Sequence, residues 1–229
     1  ESGTGKEVIY VLLGNAYSRR ASQELAAAYL KPALANYDKA LALAPESARA
    51  TLGKASVLYQ LALGDLKSLA IDQISSDQLD ESERLYRQVL RIHAAESSSI
   101  IAAKAHLGLA QLLLVRFFIT SNTDMLVQAQ AQLNEVIASH QSGELKIDEL
   151  AGHANARLAV IADLQDDRAA AADYYRRAIE LVGPYSQVEY LIELAGTLAA
   201  EGKIEEARTT YDSALLRAQT LGDQSLVER

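Results

Sequence analysis

The sequence predicts an all-α fold, an α-α superhelix of about five helix pairs, and three observations carry that expectation. A pattern occurs twice at an interval of 36 residues: Leu158, Ala159, Ala162, Ala171, Tyr175 and Ala178 return as Leu194, Ala195, Leu198, Ala207, Tyr211 and Ala214. A period in this range is the signature of stacked helical units that share one continuous core. Within each copy the small residue, the tyrosine four places on and the alanine three beyond it fall on one helix face, because positions three and four apart are neighbours there. The alanines let a second helix approach closely. Finally, 49% of the 229 residues are apolar, enough for a sizeable core, and an array needs no separate domains.

Taken in order, Thr4 and Glu7 have the spacing of a capping box, in which hydroxyl and carboxylate satisfy reciprocal backbone donors. The first helix is expected to start there and to end near Tyr29 or Leu30. Pro32 restricts the residue before it and suits the first turn of a second helix, which Pro45 closes. Ala48 to Leu63 reads as the next helix, with Gly64 as a left-handed stop. Leu66, Leu69, Ala70 and Ile74 recur at helical spacing and predict a short extra helix. Ser75, Ser76 and Asp77 then offer caps for a helix running to about His93. Glu96-Ser97-Ser98-Ser99 is a loop and cap, Ile100 to Ile119 one long helix, and Ser121 to Asp124 its break before a helix carrying Ala129, Leu133 and Val136.

Gly143 ends that unit. A helix from roughly Leu145 to Leu164, lengthened at its start, leads to a turn at Asp166-Asp167, a stop at Gly183-Pro184 and a second capping box at Ser186 and Glu189. Gly202 and Gly222 bracket a last helix, and Asp223 to Arg229 read as the beginning of a further element, as in a piece cut from a longer protein.

The residues that begin the chain carry a resemblance. Tyr10, Leu13, Gly14 and Tyr17, followed by Ala33, Tyr37, Ala40 and Pro45, resemble the two halves of a tetratricopeptide repeat. That unit is a helix-turn-helix with Leu-Gly and Tyr on helix A, and Ala, an aromatic, Ala and Pro on helix B. The two C-terminal copies have its compact spacing, 16 residues from Ala159 to Tyr175 and from Ala195 to Tyr211, whereas Gly14 to Tyr37 spans 23. Two helical turns consume about seven residues with little angular drift, so helix A can lengthen with its apolar face in phase. Two degenerate copies lie between. One has Leu52-Gly53, or Ala55 in an alternative register, with Ser82, Tyr86 and Val89; the other has Leu107-Gly108 with Ala129, Leu133 and Val136, and 25 residues from Gly108 to Leu133. The repeats are 6–46, 47–95, 98–141, 145–184 and 186–222, three of them enlarged. The resemblance implies one right-handed solenoid with Tyr37, Tyr86, Tyr175 and Tyr211 packed between helices.

Charge and composition narrow the chemistry. The net charge is −8; residues 1 to 143 hold 14 acids and 13 bases, residues 144 to 229 hold 16 and 9. Such a surface is a poor match for nucleic acid, whose binding rests on neutralising phosphates with Lys and Arg. Cysteine is absent, so disulfides and thiolate chemistry are excluded. The apolar run from Leu107 to Ile119 is broken by Gln111 and Arg116 and reads as too short to span a bilayer. No signal-peptide pattern is present. These features lean towards a soluble, cytoplasmic setting without settling the compartment. Gly3-Thr4-Gly5-Lys6 lacks the rest of a phosphate-binding loop, since Glu7 follows the lysine. Asp163, Asp166, Asp167 and Asp173 lack the glycine and terminal glutamate of a calcium loop. His93, His106, His140 and His153 are too scattered for a local metal motif. The chain therefore reads as non-catalytic, with no cofactor and no metal.

Recognition remains. In proteins similar to this one the A helices line a concave face that grips an extended peptide or a helix of a partner. Carried onto this sequence, that rule places Asn15, Arg49, His106, His153, Arg157, Glu189 and Glu193 on or near the groove. A subclass of the family clamps a terminal carboxylate with lysines, asparagines and an arginine. Asn15 occupies one matching place, Val11 stands where another is wanted, and His153 with Arg157 resembles the last pair. The implied role is a protein-interaction scaffold or adaptor, or else a regulatory or sensor region of a larger protein. The implied partner is a protein or peptide of acidic character, met by His106, His153 and Arg157, with the histidines gaining charge as the pH falls toward about 6.5.

Overall fold

The protein is described by a computed structural model over residues 3–24, 27–64, 74–93, 99–143 and 146–222. The described residues form α-helices and one 3-10 turn, with no strand among them. They fall into two compact units, Glu1–Asn122 and Thr123–Arg229.

The first unit contains α1 (Gly3–Glu24), a 3-10 turn (Ala27–Tyr29), α2 (Leu30–Leu43), α3 (Ala48–Leu63), α4 (Ser76–Ile92) and α5 (Ile100–Thr120). Each helix packs on the next, and α3 also touches both α1 and α5. That arrangement, pair upon pair with first helices adjacent, is the helix-pair array expected. The helix from Ala48 to Leu63 forms as read: Ser47 caps it, its hydroxyl accepting from the Ala50 N–H, and Gly64 stops it at φ 62°. Ser99 likewise caps α5 by accepting from the Ala102 N–H.

Other boundaries differ from the sequence reading. Thr4 lies inside α1 rather than at its cap. Glu7 instead accepts a hydrogen bond from the Ser47 hydroxyl at 2.6 Å, tying the start of α3 to α1. α1 spans Gly3–Glu24, short of Tyr29, and the 3-10 turn at Ala27–Tyr29 runs directly into α2 at Leu30, so that Pro32 lies in the first turn of α2 as expected. Its missing N–H costs nothing in that first turn. Leu66, Leu69 and Ala70 of the expected extra helix lie outside the described residues, as do residues 96–98 and 223–229; Ile74 forms a bend.

The core of this unit is organised by two tyrosines. Tyr37 of α2 lies with its ring against Gly14 of α1 and Gly53 of α3, and Tyr86 of α4 lies against Gly108 of α5. Glycine is needed at these places for close approach. The two registers considered for the second repeat turn out to use different faces of α3. Gly53 faces the preceding tyrosine, while buried Ala55 offers its carbonyl to the Ser82 hydroxyl of α4 at 2.8 Å. Helix α5, at 21 residues, is long and apolar enough to cross a membrane by length and composition, correcting the estimate from its longest apolar run. Half of its most apolar window is buried inside the protein, which is also the pattern of a core helix.

The second unit contains α6 (Asp124–Gln141), α7 (Asp148–Leu164), α8 (Arg168–Leu181), α9 (Pro184–Ala200) and α10 (Ile204–Leu221), each packed on the next. α7 is not lengthened at its start: it begins at Asp148 and has the same 17 residues as α9. Buried Ile147 is held in a non-helical conformation, and Asp148 and Glu149 occupy the first turn, where negative charge suits the helix dipole. The second capping box does not form either, because α9 starts at Pro184 behind Gly183 and Ser186 is already helical. Asp167 caps α8 by accepting from the Ala170 N–H at 3.0 Å.

Ala156, Ala159, Ala171, Tyr175, Ala178, Leu194 and Leu198 gather in one core cluster. Tyr37, Tyr86 and Tyr175 are all buried as expected, but Tyr211 is 44% exposed. A helix B tyrosine is covered by the first helix of the following pair, and among the described residues none follows α10.

Candidate interaction grooves

Each unit carries its own groove. In the first, α1, α3 and α5 supply the walls, and the hydroxyl edge of Tyr37 forms part of the floor of a depression of about 490 Å³. α1 contributes Asn15, Ser18 and Arg19; α3 contributes Arg49 and Ser56; α5 contributes Ile100, Ile101 and Lys104. A second depression of about 270 Å³ shares Leu52, Ser56 and Lys104 with the first and continues past Tyr86 to Gln111. The two form one strip along α3 and α5.

Hydrogen bonds from the core tyrosines hold the strip in shape. The Tyr37 hydroxyl donates to Asn15 Oδ1 at 2.7 Å, and the Tyr86 hydroxyl donates to Ser56 Oγ at 3.2 Å. Burial pushes both phenols up to about 12, so both remain protonated donors throughout the physiological range. Among the described residues, Arg19, Arg49 and Lys104 form no ion pair and no carboxylate lines either depression. Asn15 and Arg49 are thus brought together. His106 lies half-buried on α5 of the same unit.

The second unit has a smaller groove of about 260 Å³, where Arg157 of α7 and Glu189, Tyr190 and Glu193 of α9 stand over Tyr175. His153, one turn before Arg157, is engaged at its edge. The Tyr190 hydroxyl bonds to its Nδ1 at 2.6 Å, and Nε2 faces Glu149 Oε1 at 3.7 Å. The two rings meet edge to face at 6.0 Å. Burial lowers the pKa of His153, Arg157 lowers it further, and Glu149 and Glu189 oppose both. His153 is therefore a tie between α7 and α9 that stays neutral to lower pH than an exposed histidine. Arg157 shares its groove with two carboxylates, so this groove has mixed charge and the first is cationic.

Arg19 and Lys104 were not anticipated from the sequence. Lys104 was within reach, because it precedes Gly108 by four residues as Arg49 precedes Gly53. Arg19 follows Asn15 by four and so shares its face of α1.

Helix pairs clamped on tyrosine and glycine, with grooves walled by first helices, define an all-α tetratricopeptide-repeat fold, and solved structures agree. Neither a protein-family profile nor a curated protein matches the sequence. PilF of Pseudomonas aeruginosa is 18% identical with a TM-score of 0.66, the match covering 100% of this chain and 90% of that one. A thermophilic TPR protein of Thermus thermophilus is 16% identical with a TM-score of 0.65, covering 93% and 94%. PilW, a widely conserved type IV pilus biogenesis factor, is 18% identical with a TM-score of 0.59, covering 94% and 89%. At these identities the likeness is one of fold.

Proposed function

We propose that the chain is a non-catalytic interaction scaffold whose first-unit groove receives an extended, acidic segment of a partner protein. The observation that supports this most directly is the charge of the lining. Among the described residues, three cations without ion-pair partners share a strip that no carboxylate lines, in a chain of net charge −8. Arginine at two of the three places offers a fork for carboxylates. Asn15, Ser18 and Ser56 offer hydrogen bonds to a peptide backbone, while Ile100 and Ile101 offer apolar contact. Such a set binds a ligand without presenting an acid-base pair to it.

The reading is tested by fluorescence anisotropy with two labelled peptides of equal length, one alternating Glu and Leu, the other Gln and Leu. The acidic peptide binds more tightly, its affinity falls as salt is raised from roughly 50 to 300 mM, and R49E/K104E abolishes the difference. Equal binding of the two peptides, or indifference to that pair of substitutions, rejects the groove as an acidic-segment site.

A further inference from the structure

α1 and α10 leave open the two halves of one junction. Inside the second unit α8 and α9 are consecutive helices joined through Val182 and Gly183. Tyr175 and Ile179 of α8 meet the face of α9 that carries Tyr190 and Leu194. The rings of Tyr175 and Tyr190 stand 6.5 Å apart, Tyr175 and Leu194 share a core cluster, and Ile179 packs against the cluster of Val188 and Leu191. Moved on by the 36-residue period, Tyr175 and Ile179 become Tyr211 and Leu215 of α10. Counted back from the small residue of the first helix, Ala195 in α9 and Gly14 in α1, Tyr190 and Leu194 become Ile9 and Leu13. The four counterparts keep apolar or aromatic character, yet all are between 42% and 55% exposed. Val8, Leu12 and Ile204 are exposed beside them. A contiguous apolar face of this kind on a protein surface marks a contact site.

Charge points to the same pairing. α1 carries three bases and two acids, and α10 three acids and two bases. Because α8 packs its end against the start of α9, the same apposition sets the later turns of α1 beside the first turn of α10. Arg20, on the stripe of Ile9 and Leu13 and stacked over the Tyr29 ring at 4.8 Å, then lies on the side of Glu205, and Arg208 falls opposite the small Ala16. We infer that a second copy of this chain covers these faces: α10 of one molecule docks on α1 of the next, and the helix-pair array continues from chain to chain. This pairing is independent of what the first-unit groove binds. The two surfaces are unlike, so the contact is heterologous and a bound molecule still presents a free face at each end of the assembly.

The test is sedimentation velocity on the full chain from low micromolar to near millimolar concentration, with circular dichroism confirming that each variant is folded. The mean mass of the wild type climbs past twice 24.8 kDa as concentration rises. I9E/L13E and Y211E/L215E are each monomeric alone. Mixed in equal amounts they form a complex of two chains and nothing larger, since each retains the face that the other lacks. Several results overturn the proposal: a wild type monomeric throughout, self-association of either variant, or a mixture that stays monomeric. Association that begins only when residues 223–229 are deleted assigns the α10 face to that segment and overturns it too.

Discussion

The ring of Tyr37 lies so close to Gly53 that a Cβ built on the glycine would stand 2.3 Å from it, and one built on Gly14 across the ring would stand 2.6 Å away. Tyr37 is 1% exposed and has helices on both sides, so it cannot yield to either. Three helices are thereby set at a separation that only glycine allows.

Gly53→Ala consequently forces α2 and α3 apart. Overpacking costs about 1–3 kcal/mol, against a gain in helix propensity of roughly 1 kcal/mol. The expected outcome is a lower urea midpoint by circular dichroism. Gly196→Ala is the contrasting change: the nearest atom to its added Cβ is the Tyr211 hydroxyl oxygen at 3.9 Å, so the propensity gain of up to about 1 kcal/mol is kept. Equal stability of Gly53→Ala and wild type contradicts the clamp around Tyr37.

The tyrosines of the two 36-residue copies diverge in the same way. Tyr175 is 3% exposed and Tyr211 44%. Tyr175→Ala leaves a cavity and costs about 3–5 kcal/mol, whereas Tyr211→Ala removes a half-open side chain and costs under about 1 kcal/mol. Thermal melts of the two variants in dilute solution read the difference, and a comparable loss in both shows Tyr211 to be covered.

Much of the fold was legible because its determinants are local. α3 runs from Ala48 to its stop at Gly64 as expected, and Ser99 and Ser121 bracket α5. The readings that failed depended on residues distant in the chain. Glu7 has the spacing of a capping box but is taken by Ser47, 40 residues on. Tyr211 has the pattern of a core residue, but burial belongs to the neighbour that covers it. His153 has the place of a groove residue that gains charge as the pH falls, but its Nδ1 is engaged by the hydroxyl of Tyr190, 37 residues away. Asn15 and Arg49 were legible because helix A residues face one way. Lys104 holds the place before Gly108 that Arg49 holds before Gly53, so its position was legible from the same register.

Acid sensitivity follows from His153. Burial lowers its pKa in the fold, with Arg157 acting the same way and Glu149 and Glu189 against it, so the unfolded chain, near 6.5, binds its proton more readily. The stability that this residue contributes is complete above about pH 6.5 and is lost as pH falls through that value toward the lower folded pKa. The stability difference between wild type and His153→Gln should therefore shrink from about pH 7.5 to pH 5. Urea denaturation at several pH values measures it. A difference that stays constant over that window shows that burial does not depress this histidine.

Asn15 serves two purposes, and two substitutions separate them. Its Oδ1 accepts the Tyr37 hydroxyl at 2.7 Å, and its side chain lines the groove with Arg19, Arg49 and Lys104. Asn15→Leu removes the acceptor and leaves a buried phenol unpaired, which costs about 1–3 kcal/mol, yet it leaves the charge of the groove unchanged. Asn15→Asp keeps an acceptor for a phenol that burial holds protonated up to about 12, so stability is preserved. It also places a negative charge among the three cations, which repels an acidic ligand and neutralises part of what attracts it. The acidic peptide should therefore bind more weakly to the stable Asn15→Asp variant than to the less stable Asn15→Leu one, which loses the hydrogen bond that Asn15 offers the peptide but keeps the cations unopposed, with urea melts and anisotropy run on the same samples. If Asn15→Asp binds the acidic peptide as wild type does, the cations around Asn15 are not where that peptide lies.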